Sequence, residues 1–202
     1  MIDKQLLKED FAKYFGEGEP RFFAAPGRIN LIGEHTDYNG GFVLPGAIDK
    51  AISMAIQPNG TDIVNLISID HEDAHLFFRI GGPQPKEQWA SYFYGVIEEM
   101  RQRGAKIGGF NAIFGGDVPL GAGMSSSAAL ESCVGTALNA IYDLKFTKQE
   151  LAKIGQMTEH HYIGVRCGIM DQFASIFGQK GHVVLRRRTC RRPGARRRRR
   201  WR

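Results

Sequence analysis

Two short stretches of this chain gather residue types that do chemistry at close spacing. From Gly115 to Ser132 the sequence reads GGDVPLGAGMSSSAALES. Gly121 and Gly123 allow positive φ and a close backbone approach to a ligand, and successive N–H groups of such a turn form a nest for anions. Ser125, Ser126 and Ser127 stand where a helix begins, so unpaired first-turn N–H groups, the positive end of the helix dipole and up to three hydroxyls face one point. The chemistry this suits is phosphate binding. A serine-capped helix after a glycine turn also forms without any ligand. A Walker A loop needs a Gly-Lys-Ser/Thr ending, and no lysine lies between Lys106 and Lys145, which excludes it. A dinucleotide fingerprint is a weaker rival: Asp143 falls near the ribose-acid spacing, but Ser126 stands where the third glycine belongs and the Pro119 turn fits poorly.

The second stretch is GEHTDYNGG, with Glu34, His35 and Asp37 in one loop turned by Asn39, Gly40 and Gly41. Carboxylates accept hydrogen bonds from vicinal hydroxyls, so the trio suits a polyhydroxylated ligand. Metal binding is the competing chemistry, and an Asx turn, with Asp37 bonding its own backbone, is the purely structural one. Upstream, Arg28 follows Pro26 and Gly27; it is either a surface cation or the partner of a buried carboxylate, and spacing leaves both open.

The elements that must position these loops follow from periodicity. Leu7, Phe11, Tyr14 and Phe15 at helical spacing make the charged N-terminal stretch an amphipathic helix rather than a signal peptide. Gly16 to Pro20 breaks the chain, and Arg21 to Ala25 begins a strand. Ala25 to Ile48 reads as strand, structured loop, strand; Ala51 to Ile56, Ile63 to Ile69 and His75 to Ile80 read as further short strands in an antiparallel meander. Trp89, Tyr92, Phe93, Val96, Ile97 and Met100 mark a helix whose aromatic face is core, stopped by Gly104. Phe110, Ala112 and Phe114 form a strand into the glycine loop, and a helix runs from Ser126 to Leu144. Thr147 with Glu150 is a capping box opening a helix through Leu151, Ile154, Met157 and His161 to Gly164. The loop VRCGIMDQ then carries Asp171 into a last turn, Phe173 to Phe177, stopped by Gly178. The order predicts an α+β domain.

With 202 residues and 43% of them apolar, the chain suits one domain of ordinary size, or one and a part. Cys133, Cys167 and Cys190 are an odd, scattered set, which argues against a disulfide framework or a zinc site. The absence of a long apolar run points away from a membrane and toward the cytoplasm. The formal charge of +6 misleads: eleven arginines lie between Arg186 and Arg202, and without them 16 of the 27 basic residues face 21 acidic ones, a net −5. The run RRRTCRRPGARRRRRWR repels itself, buries little and is expected to be disordered. A nucleic-acid or nuclear-targeting tail ranks below a non-native or misread end, because composition switches within one residue after a strand begins at His182 to Leu185. No specific nucleic-acid partner is expected.

PGRINLIGEHTDYNGGFVLP closely resembles the galactokinase signature, and GGDVPLGAGMSSSAALES resembles the nucleotide loop of the GHMP small-molecule kinases. CGIMDQFASIFG is similar to the galactokinase segment bearing the catalytic aspartate. The resemblance implies a GHMP kinase N-terminal lobe over residues 1–185, with the fold of ribosomal protein S5 domain 2, the second lobe missing and 186–202 an Arg-rich tail. It implies ATP-dependent phosphorylation of the anomeric hydroxyl of galactose. Asp171 would accept or orient the hydroxyl proton, and Arg28 would sit beside it and stabilise developing negative charge. Glu34, His35, Asp37 and the Gly168 backbone would hold the sugar. Gly121, Ala122, Gly123, Met124, Ser125, Ser126 and Ser127 would wrap the ATP phosphates, and Ser126 with Glu159 would hold Mg2+ as hard oxygen donors. The sugar and ATP are the implied partners, and a monomer is favoured. An N-acetylgalactosamine kinase and a non-catalytic sugar and ATP sensor are the alternatives. Since the resemblance stops after Leu185, weak or absent activity is expected of the chain as written.

Overall fold

The computed structural model describes residues 2–33, 35–37, 39, 41–119 and 121–187. Its centre is a five-stranded sheet in the order β1-β3-β6-β4-β5, formed by β1 (Arg21–Asn30), β3 (Pro45–Pro58), β4 (Ile63–Ser68), β5 (Ala74–Arg79) and β6 (Phe110–Gly116). Alternation along the strands divides the apolar side chains between two faces. Ala55, Ile67 and Ile113 meet Leu7 and Phe11 of helix α1 (Lys4–Phe15). Met54, Ile56, Leu66, Phe110 and Ala112 face the larger core with α2 (Gln88–Gln102), α3 (Ser126–Ile141) and α4 (Lys148–Thr158). The mixture of helices and sheet is the α+β class expected, and α4 opens on the capping box of Thr147 and Glu150.

The meander expected from the order of the strands is not what forms. Strand β6 lies between β3 and β4, antiparallel to β3 and parallel to β4, with Leu66 opposite Ala112. Ala55 and Ile56 on β3, and Ala112 and Ile113 on β6, are fully buried, so both strands carry apolar side chains on both faces and belong in the middle of the sheet. The consequence is functional: the chain leaves the sheet's centre at Gly116 directly into the glycine loop.

Three boundaries also differ. The helix opened by Thr147 does not run regularly to Gly164: α4 ends at Thr158 and Glu159–Ile163 forms a π-helical turn, closed by Gly164 at φ 83°. Asp171 sits inside α5 (Met170–Phe177), in its first turn, rather than in the loop before it. No strand is assigned from His182 to Leu185; instead β7 (Arg186–Arg187) pairs antiparallel with β2 (Phe42–Val43). The backbone of the first two residues assigned to the Arg-rich tail is therefore regular structure, and residues 188–202 of that tail lie outside the described residues. No helix among the described residues is long and apolar enough to cross a membrane.

Candidate active site

Strand β1 is irregular at Pro26–Gly27–Arg28, where its register against β3 shifts. Proline has no N–H to give the ladder, and a bulge re-aims the side chain that follows. A Cβ on Gly27 would lie 2.7 Å from the Met124 carbonyl oxygen, so only glycine lets the strand and the glycine loop meet. They meet through Arg28, whose backbone N–H donates to that carbonyl at 3.1 Å. Its guanidinium is 8% exposed as a residue and fully engaged along one edge: Nε donates to Asp171 Oδ1 and Nη2 to Asp171 Oδ2, both at 2.8 Å, while Nη1 donates to the Gly123 carbonyl at 2.5 Å. This is the bidentate fork that guanidinium and carboxylate geometries favour. Of the two readings of Arg28 left open by spacing, partner of a carboxylate is the one found, although that carboxylate is half-buried rather than buried.

Asp171 also accepts from the Ser125 hydroxyl at 2.6 Å. Ser125 is held at φ 54° and ψ 53°, a left-handed conformation costly for a residue with a Cβ, and its hydroxyl does not cap α3. The three serines expected to surround one phosphate divide between two places. Ser125 reaches Asp171, whereas Ser126 and Ser127 both line a cavity described below. Gly121 and Gly123 both take φ 71°, as the nest reading requires. Ala122 and Met124 lie in the same turn, Ala122 exposed and Met124 half-buried.

Asp37 is 5% exposed, and its Oδ2 accepts the Met170 backbone N–H at 2.9 Å, satisfying an otherwise open donor at the start of α5. A Cβ on Gly168 would stand 1.6 Å from that oxygen, so glycine there is a steric requirement. His35 is exposed, its carbonyl accepting from Asn39 Nδ2 at 2.8 Å; Glu34 lies outside the described residues. Arg28, Asp37, Gly168 and Asp171, with Arg166 and Cys167, surround a cavity of about 170 Å³. The structure thus brings Asp37, Arg28 and Asp171 to one place.

A second cavity, of about 550 Å³, opens beside the glycine loop between Gly121, Ser126 and Ser127 on one side and Trp89, Tyr92 and Phe114 on the other. Trp89 and Tyr92, taken from the sequence as core, are only half-buried: one side of each packs on the core and the other lines this space. The structure also adds Asp70 and Gln88, and His71, which stacks on Trp89 with ring centroids 5.9 Å apart. The available signal was position, because Gln88, Trp89 and Tyr92 occupy the first turn and a half of α2, at the end nearest the glycine loop.

Glu159 is 6% exposed rather than solvated. Burial pushes its carboxyl above the ordinary range, opposed by the Ser127 hydroxyl and reinforced by the negative charge of Asp171. Glu131, 2% exposed, is raised well above the usual range by burial and by Glu159. Among the described residues, no three His, Cys, Asp or Glu side chains gather as a metal cage. Glu159 and the hydroxyls of Ser126 and Ser127 are nevertheless hard oxygen donors of the kind Mg2+ takes.

Residues 9–58 match the galactokinase galactose-binding signature, and residues 91–179 match the N-terminal domain of GHMP kinases. The fold superposes on the galactokinase of Lactococcus lactis, solved with galactose, at a TM-score of 0.87 and 38% identity, over 90% of this chain and 48% of that one. Similar folds include the mevalonate kinase of Methanococcus jannaschii (TM-score 0.73, 21% identity, 85% of this chain and 55% of that one). The phosphomevalonate kinase of Streptococcus pneumoniae, solved with phosphomevalonate and AMPPNP, follows at 0.64 and 19%, over 78% and 47%. The chain spans about half the length of these structures.

Proposed function

We propose, from the premise that this chain belongs to the GHMP family of small-molecule kinases and carries the galactokinase form of its N-terminal lobe, that it serves transfer of the γ-phosphoryl group of ATP to the anomeric hydroxyl of galactose. The observation that carries this reading is the bidentate pair of Arg28 and Asp171 at the wall of the smaller cavity, tied to the glycine loop by the Ser125 hydroxyl. Galactose occupies that cavity. Asp171, fixed by three hydrogen bonds, accepts one from the anomeric hydroxyl and so sets the direction of attack. As the bond from the anomeric oxygen to phosphorus forms and the β–γ bridging bond breaks, the hydroxyl proton passes to Asp171 or leaves to solvent. Asp37, Gly168, His35 and Glu34 hold the remaining hydroxyls. A buried carboxylate left without its hydroxyl is costly, which gives discrimination between epimers.

The turn from Gly121 to Ser127 wraps the phosphates with backbone N–H groups and the α3 dipole. The larger cavity takes the base, whose faces suit Trp89 and Tyr92. Glu159 and Ser126, with Ser127 adjacent, would hold Mg2+ with the nucleotide, and the ion would neutralise charge on the phosphates. The reaction class needs little else, since phosphoryl transfer depends mainly on positioning and charge.

The test is incubation with galactose and ATP carrying a heavy-oxygen label in its γ-phosphoryl group, followed by phosphorus NMR. Label on the anomeric oxygen is expected. Label on another hydroxyl, or in free phosphate only, would count against the assignment.

A further inference from the structure

We propose that Arg166 is a phosphate-holding residue of the smaller cavity, recognising the phosphoryl group borne on the sugar's anomeric carbon. The inference rests on the galactose reading of that cavity and adds a residue to it.

Charge accounting comes first. The cavity wall carries two carboxylates, Asp37 and Asp171, and two guanidinium groups, Arg28 and Arg166. Arg28 is matched one-for-one with Asp171, and its third nitrogen is held by the Gly123 carbonyl. Its charge is neutralised before any ligand arrives. Arg166 is exposed and makes no hydrogen bond or ion pair among the described residues. Among the described residues it is the cation of this wall that no carboxylate pairs.

The backbone that presents it is firmly held. Gly164 closes the π-helical turn in the left-handed region, and the Val165 N–H donates to the Glu159 carbonyl at 2.9 Å. On the other side, the Cys167 carbonyl accepts from Gln156 Nε2 at 3.1 Å and bonds the His160 ring at 2.8 Å. Gly168 is wedged against Asp37. The Cα of Arg166 is fixed at the cavity while its head group stays available, a planar fork matched to phosphate oxygens.

The reaction creates the need. Galactose enters neutral, and the product carries a phosphate that the Asp37 carboxylate repels once Arg28 and Asp171 cancel one another. A free guanidinium offsets that repulsion and attracts the phosphoryl group as it arrives.

The experiment is calorimetric titration of the full chain with four ligands: galactose, galactose 1-phosphate, inorganic phosphate, and galacturonate, whose carboxylate lies at the far end of the ring. Galactose 1-phosphate is expected to bind about tenfold more tightly than galactose at low salt, as one partly exposed charge-assisted contact allows, and tighter than inorganic phosphate. Arg166→Gln should bring the ratio of the two sugar affinities to about one, and Arg166→Lys to an intermediate value. A ratio unchanged by Arg166→Gln overturns the proposal. So does an Arg166-dependent preference for galacturonate, or inorganic phosphate binding as tightly as the sugar phosphate. Failure of galactose itself to bind overturns the galactose reading and this inference together, whereas galactose binding without any preference for its phosphate overturns this inference alone.

Discussion

The two cavities flanking the glycine loop are built by opposite means. The smaller is made of charged groups tied to one another across the chain: Arg28 to Asp171 over 143 residues, and Asp37 to the Met170 backbone over 133. The larger is made of aromatic faces, Trp89, Tyr92 and Phe114, left over from helix and strand packing. The difference teaches where precision is needed. A group that directs a reacting hydroxyl must be held within tenths of an ångström, which directional bonds do; a base needs a slot of the right width, which packing provides.

Substitutions should separate the two kinds of site. Asp171→Asn has the largest expected effect, a loss of about 10²–10⁴-fold in phosphoryl transfer. Galactose binding should fall far less, because the amide still accepts one hydrogen bond. Equal losses of transfer and binding would mean that Asp171 holds the sugar without directing the reaction. Gly168→Ala comes next. Its methyl cannot coexist with Asp37 Oδ2, so Asp37 or the start of α5 must move, with about 1–3 kcal/mol of destabilisation in thermal or denaturant unfolding and loss of galactose binding. An unchanged galactose affinity would show that Asp37 does not face the sugar.

On the packed side effects should be graded. Trp89→Ala is expected to weaken nucleotide binding by about 0.5–1.5 kcal/mol, the range for an aromatic stacking contact, and to leave galactose affinity alone. If galactose affinity fell as much, the two cavities would not be separate sites.

The smallest effect concerns Glu159, a buried carboxyl that feels the charge of Asp171. Its carboxyl is raised in the folded chain above its ordinary value of 4.5, chiefly by burial, so the native state holds its proton to higher pH than the unfolded state does. Stability therefore falls as pH rises through that window, and the cost is complete above the folded value. Glu159→Gln should flatten this slope in nucleotide-free thermal melts between weakly acidic and neutral pH, with Ser127, His160 and Asp171 left in place. A slope unchanged by the substitution would assign the pH dependence to other groups, Glu131 first among them.

The same contrast explains how much was legible in the sequence. The glycine turn and its positive φ values follow from local chemistry, and residue types with spacing suffice for them. The helices of α1, α2 and α4 follow from a 3.6-residue period. Bringing Arg28 to Asp171 is a long-range fact, and only resemblance to known kinases anticipated it. What was missed is tertiary: β6 entering between β3 and β4, and Trp89 and Tyr92 turning one face to solvent. Neither leaves a periodic trace, because a half-buried aromatic at the end of a helix has the same spacing as a core one. The π-helical turn at Glu159 inserts one residue into an otherwise regular pattern, and nothing in the letters EHHYI marks it.

The most direct test is a structure of this chain with galactose and a non-hydrolysable ATP analogue. The anomeric oxygen is expected at roughly 2.6–3.2 Å from the Asp171 carboxylate, with Arg28 still paired to it and the terminal phosphate in the turn from Gly121 to Ser127. Galactose bound away from Asp171, or with a different hydroxyl facing it, would contradict the account.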